Sequence, residues 1–147
     1  MRHRALYLAT ILLTAAAVVL WPAAARGAGG TVEVAVTGIR HASGTLHVTL
    51  CRAAEFGTPD CFRRATRPVR AIVTERFVFD RMPAGIYAVL VIHDVNGNRR
   101  FDRDGYGAPT EPWGASRNPR VRWRAPTFDE CAVKYDGGAI TLEVALQ

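Results

Sequence analysis

From Val32 onward the chain alternates. Val32, Val34 and Val36 are separated by Glu33, Ala35 and Thr37, and Gly38 closes the run. A two-residue period puts one side of a half-buried strand on a core and the other toward solvent. Gly44 opens a second such run, with Leu46, Val48 and Leu50 on one face and His47, Thr49 and Cys51 on the other. Pro68 introduces Val69 to Thr74, which reads as a third strand, and Phe77-Val78-Phe79 reads as a short fourth. Met82-Pro83-Ala84-Gly85 is a turn. The nearly unbroken apolar run Tyr87 to Ile92 that follows predicts a central strand covered on both faces. Phe128 to Tyr135 predicts another strand. Asp136-Gly137-Gly138 reads as a hairpin turn into a final alternation of Ile140, Leu142, Val144 and Leu146. No segment has the period of a long amphipathic helix. About seven strands with Gly, Pro and Asp turns between them predict an all-β domain, an antiparallel β-sandwich.

Between His93 and about Arg120 the alternation stops. Gly97, Gly105, Gly107, Pro109, Pro112, Gly114 and Pro119 punctuate a stretch that also holds Phe101, Tyr106 and Trp113. A loop beyond about 12–15 residues in a compact domain is usually functional or disordered. The aromatics, and the strong strand before them, predict an ordered one.

The N-terminus has a different character. Met1-Arg2-His3-Arg4 is a basic head, Ala5 to Leu20 is uncharged and almost wholly apolar, and Trp21-Pro22 precedes Ala23-Ala24-Ala25. That is the order of a secretory signal with a small-residue cleavage site. A membrane anchor would need a longer apolar span and a polar stop. Residues 1–25 are therefore expected to be a signal peptide and residues 26–147 a single β-sandwich domain, periplasmic or extracellular, with no stable membrane span after cleavage.

Export places the three cysteines, Cys51, Cys61 and Cys131, where disulfides persist. Cys51 ends a strand and Cys61 follows a turn-rich segment. Proximity favours a Cys51–Cys61 bridge, and a pairing through Cys131 stays open. The net charge of +6 includes Arg2 and Arg4 of the leader. The remaining excess is Arg scattered among Asp and Glu, with no basic stripe or recognition motif for nucleic acid.

The acidic, Asn-rich segment starting at Asp94 carries the most chemistry. Oxygen side chains stand at Asp94, Asn96 and Asn98, with Asp102 eight residues after the first. Calcium loops place ligands at positions 1, 3, 5, 7 and 9, the seventh through a backbone carbonyl. Counted from Asp94, these are Asp94, Asn96, Asn98, the Arg100 carbonyl and Asp102. The sixth position is Arg99 where Gly is usual, and the twelfth is Gly105, so Asp104 or Glu111 would have to supply the missing acid. The same residues also suit metal-free Asx turns, in which Asp and Asn accept from their own backbone. Other constellations are weaker. His93 beside Asp94 lacks a nucleophile placed by motif, and His41, His47 and His93 lack zinc spacing. Trp113, Trp123 and Tyr106 would serve either as a sugar- or peptide-binding face or as loop packing.

Three stretches carry a family resemblance: Pro83-Ala84-Gly85-Ile86-Tyr87-Ala88-Val89; His93-Asp94-Val95-Asn96-Gly97-Asn98 with Asp102; and Gly107-Ala108-Pro109-Thr110-Glu111 with Pro126-Thr127-Phe128. Together they resemble the small secreted bacterial proteins grouped as domain of unknown function 2141. The resemblance runs from about Val32 to Leu146. It departs from the family pattern at Arg99, Ala115 and Cys131. It implies an exported β-sandwich, similar to transthyretin-like and immunoglobulin-like modules, and a cysteine pair like Cys51 and Cys61. It implies no activity. The expectation is a non-catalytic envelope protein, structural or ligand-binding, with a protein or glycan of the cell envelope as partner. The alternative is a calcium-stabilised binding module using the 94–111 loop. A small hydrolase using His93, Asp94 or Glu111 is the third class.

Overall fold

A computed structural model describes residues 29–121 and 124–147. The leader read at residues 1–25 lies outside the described residues, as does Trp123. The strands are β1 (Gly30–Thr37), β2 (Thr45–Cys51), β3 (Arg63–Pro68), β4 (Glu75–Met82), β5 (Gly85–Asp94), β6 (Trp113–Ala115), β7 (Val133–Tyr135) and β8 (Ala139–Ala145). A 3-10 turn at Ala53–Glu55 and a four-residue helix, α1 (Phe128–Cys131), complete the elements.

The strands form two sheets. One has the order β4-β1-β8; the other runs β3-β2-β5-β6, with β7 paired to the start of β5. The alternating valines of β1 and Phe77 and Phe79 of β4 face Leu46, Val48 and Leu50 of β2 and Val89 and Val91 of β5, all buried in one core. Each fully buried side chain of this size contributes about 1.5–3 kcal/mol through removal from water. β5 is the hub of its sheet, bonded to β2, β6 and β7.

Several expectations need correction. The sandwich is not wholly antiparallel, because β8 runs parallel to β1. The third strand is not Val69–Thr74 but β3, which Pro68 ends instead of introducing. Ile72 and Val73 are exposed and only Val69 joins the core. β3 is an edge strand rich in exposed Arg, so it shows no apolar alternation. Residues 128–131 are helical because Thr127 and Glu130 stand at capping-box spacing, with the Glu130 carboxylate accepting from Thr127 N at 2.8 Å and from Thr127 Oγ1 at 3.1 Å. Cys131 is therefore on α1, not in a strand. Asp136-Gly137-Gly138 is not a hairpin turn: β7 pairs with β5 and β8 with β1, so the turn carries the chain from one sheet to the other. The 93–120 stretch is not strandless, since β5 runs to Asp94 and β6 lies within it.

Cys51 and Cys61 are disulfide-bonded, with Cα atoms 4.4 Å apart, and Cys131 is free and buried.

Candidate functional site

Side chains alternate along β5, so His93 and Asp94 leave its end on opposite faces. His93 turns inward and is fully buried. Its Nε2 donates to the Ser43 carbonyl at 2.7 Å, and its Nδ1 has no partner among the described residues. Asp94 turns to the outer face of the larger sheet and is 1% exposed. Its carboxylate caps the loop it begins: Oδ1 accepts from Gly97 N at 2.7 Å and Asn98 N at 3.1 Å, and Oδ2 from Arg99 N at 2.8 Å.

The other oxygens of the segment are used in the same way. Asn96 Oδ1 accepts from Asn98 N at 3.0 Å and Asn98 Oδ1 from Arg100 N at 2.8 Å. Both carboxamides then donate to one atom, Asp102 Oδ2, each at 2.7 Å. Glu111, also buried, staples the two ends of the loop, accepting from Val95 N at 2.9 Å and Asp102 N at 3.2 Å. Asp104 Oδ1 accepts from Tyr106 N and Ala108 N, both at 2.9 Å, and closes the tip, where Tyr106 is 99% exposed. The structure thus brings Asn96, Asn98 and Asp102 to one point. Asp94, Asp104 and Glu111 serve separate stretches of backbone, and Arg100 takes part through its amide. Among the described residues no cluster of three His, Cys, Asp or Glu side chains converges as a metal-ligand set. A cation at Asp102 would have to replace the two carboxamide donors that now face its Oδ2.

The loop so braced stands beside the outer face of the larger sheet. Register lines up two rows of side chains across that face. Thr66, His47, Ile92 and Trp113 are successive cross-strand neighbours, and beside them run Arg64, Thr49, Leu90 and Ala115. At one end Phe56, packed edge-on against Phe128 at 5.7 Å, covers Ala88 together with Cys131 of α1. Toward the other end lie Phe101 and Arg103 of the acidic loop. Between them is an open trough of about 670 Å3, walled on a third side by the disulfide-closed segment Phe56 to Pro59 and on a fourth by Ala125 and Pro126. A neighbouring hollow of about 330 Å3 shares Phe101, Arg103, Trp113, Ala125 and Pro126 with it and extends the trough toward Tyr106.

A hydroxyl and an imidazole stand on the trough floor, with the buried Asp94 carboxylate in line beneath its edge. Thr66 Oγ1 is 3.3 Å from His47 Nδ1, and His47 Nε2 is 3.9 Å from Asp94 Oδ2. The order resembles a hydrolase triad, but the second separation exceeds hydrogen-bond reach. Asp94 Oδ2 is already held by the Arg99 amide.

Near the trough wall, Arg124 donates to both oxygens of Glu130, at 2.7 and 2.5 Å. That bond and the Thr127 amide hold the Glu130 carboxyl down to about 2. Burial, with the Glu130 charge nearby, pushes the Cys131 thiol up to about 11, so Cys131 stays protonated and unreactive at neutral pH.

Of these features, Phe101, Tyr106 and Trp113 were legible as loop aromatics. The floor was not, because it joins β2, β3, β5 and β6 through a register that sequence does not display. The Thr127-x-x-Glu130 box was the available signal for α1.

The chain belongs to the bacterial family described as "Uncharacterized protein conserved in bacteria (DUF2141)", whose model matches residues 34–143. No curated protein and no solved structure matches it.

Proposed function

We propose that this member of the DUF2141 family is an exported, non-catalytic β-sandwich module that binds a small ligand in the trough on the outer face of its larger sheet. One observation carries the reading. The acids of the 94–111 loop are spent on the loop's own amides, so the loop acts as a wall, and the surface it borders is concave and lined by Phe56, Leu90, Ile92, Phe101 and Trp113. Pockets of about 300–1,000 Å3 with apolar walls and a few polar groups are the usual form of a small-molecule site. The hydrolase alternative finds less support, since His93 faces the core and Asp94 and Glu111 are committed acceptors. Export is supported by the leader sequence and by the disulfide. Titration with N-phenyl-1-naphthylamine, a neutral apolar fluorophore, tests the reading. Its emission rises saturably with the protein and much less with Trp113→Ala. A wild-type protein that leaves the dye dark contradicts it.

A calcium-stabilised loop is the second reading, favoured by one observation. Arg99, at the sixth position of the ligand pattern, takes the left-handed conformation, φ 64°, that a Gly provides in calcium loops. On this reading millimolar calcium raises the melting temperature above that in chelator, and Asp102→Ala abolishes the gain. A melt indifferent to calcium eliminates it.

A further inference from the structure

The trough has a charge as well as a shape. Its lining includes His47, Arg64 and Arg103 and, among the described residues, no Asp or Glu. Arg64 comes from the edge strand and donates to the Pro59 carbonyl of the disulfide-closed wall. Arg103 comes from the opposite side, donating to the Gly107 carbonyl at 2.7 Å with its guanidinium 4.9 Å over the Phe101 ring. These contacts fix each guanidinium while using only part of its five-donor fork. The Arg side chains at positions 67, 76 and 124 are each neutralised by a carboxylate, at Glu75, Glu33 and Glu130. No ion pair is formed by Arg64 or Arg103 among the described residues. Two anchored cations thus flank an apolar floor of Leu90, Ile92 and Trp113, with the Thr66 hydroxyl and the His47 imidazole between them.

We infer that the trough binds a free single-chain amphipathic carboxylate of the fatty-acid type, its chain along the Leu90–Ile92–Trp113 floor and its carboxylate held by Arg64 or Arg103. The inference rests on the trough reading and names its ligand class. Extent favours a chain: the larger hollow and the smaller one lie side by side, sharing Phe101, Arg103, Trp113, Ala125 and Pro126 in their walls. Charge complementarity favours the anion, because guanidinium pairs with carboxylate in two parallel charge-assisted bonds.

The test is calorimetric titration of the purified protein with decanoate and with 1-decanol, both below their aggregation limits. Decanoate binds saturably at one site, and decanol at least tenfold more weakly, equivalent to about 1.4 kcal/mol. The double substitution Arg64→Gln/Arg103→Gln brings decanoate down to the affinity of decanol without shifting the melting temperature. Equal wild-type affinity for the two ligands overturns the anion preference and leaves the apolar trough standing. Saturable uptake of neither ligand removes the trough reading itself. Binding to phosphatidylglycerol vesicles with no decanoate complex overturns the inference in favour of a lipid surface.

Discussion

Replacing Asp94 by Ala removes a buried carboxylate that accepts from the Gly97, Asn98 and Arg99 amides at 2.7 to 3.1 Å. A hydrogen bond to a charged group contributes about 1.5–3 kcal/mol, and a neutral one about 1 kcal/mol. Residues 97–99 are exposed, so their freed amides regain water and part of the loss is recovered. The expected net destabilisation is about 2–4 kcal/mol, a large share of the 5–15 kcal/mol that holds a typical domain together. Asp94→Asn is the informative control. It keeps one oxygen for two of the amides and points its NH2 at the third donor, so it falls between wild type and Ala. Urea unfolding gives the comparison directly as a lower midpoint at unchanged slope. Amide hydrogen exchange localises it, with protection lost first at residues 97–99. An Asp94→Ala protein within about 0.5 kcal/mol of wild type, the range of ordinary surface changes, would refute the capping account.

The remaining predictions concern the walls, the pH response and the leader. Replacing both Cys51 and Cys61 by Ser opens the loop that carries Phe56 to Pro59. It should cost about 3 kcal/mol in urea unfolding and weaken uptake of the apolar dye; unchanged stability would show that the bridge adds nothing. Glu130, depressed to about 2 from its ordinary 4.5, contributes stability that is present above pH 4.5 and lost as pH falls through about 2; an NMR titration of its carboxyl should show that low midpoint, and one near 4.5 would contradict the Arg124 pairing. Cys131, raised to about 11, should resist iodoacetamide in the folded protein at pH 8 and react in urea; fast modification of the folded protein would contradict its burial. Mass spectrometry of protein secreted by a bacterial host should find a chain beginning at Arg26, and retention of residues 1–25 would contradict the cleavage reading.

The strands that sequence reveals are those with one face in the core. β1, β2 and β8 alternate because their inward residues are buried and their outward ones are not, and β5 is apolar on both faces because its outer side also meets other groups. β3 escapes the same reading because an edge strand faces solvent and carries Arg at positions 63, 64 and 67. β6 is three residues set among Gly and Pro, its pairing decided by register with Leu90 to Ile92 and not by local propensity. In the loop, the spacing of Asp94, Asn96, Asn98 and Asp102 marked a turn built on side-chain oxygens. The same spacing serves a cation or the backbone, so it did not distinguish the two. The trough was not visible in any one segment, because His47, Arg64, Leu90 and Trp113 become neighbours only when four strands are set side by side.

Amide chemical-shift mapping while decanoate is added tests the central claim most directly. The account predicts that the largest shifts fall on His47, Thr49, Leu90, Ile92 and Trp113, with smaller ones at Phe56 and Phe101, and that β4 and β8 of the smaller sheet stay unmoved. Shifts concentrated on the smaller sheet, or spread evenly over the surface at every ligand concentration, would contradict it.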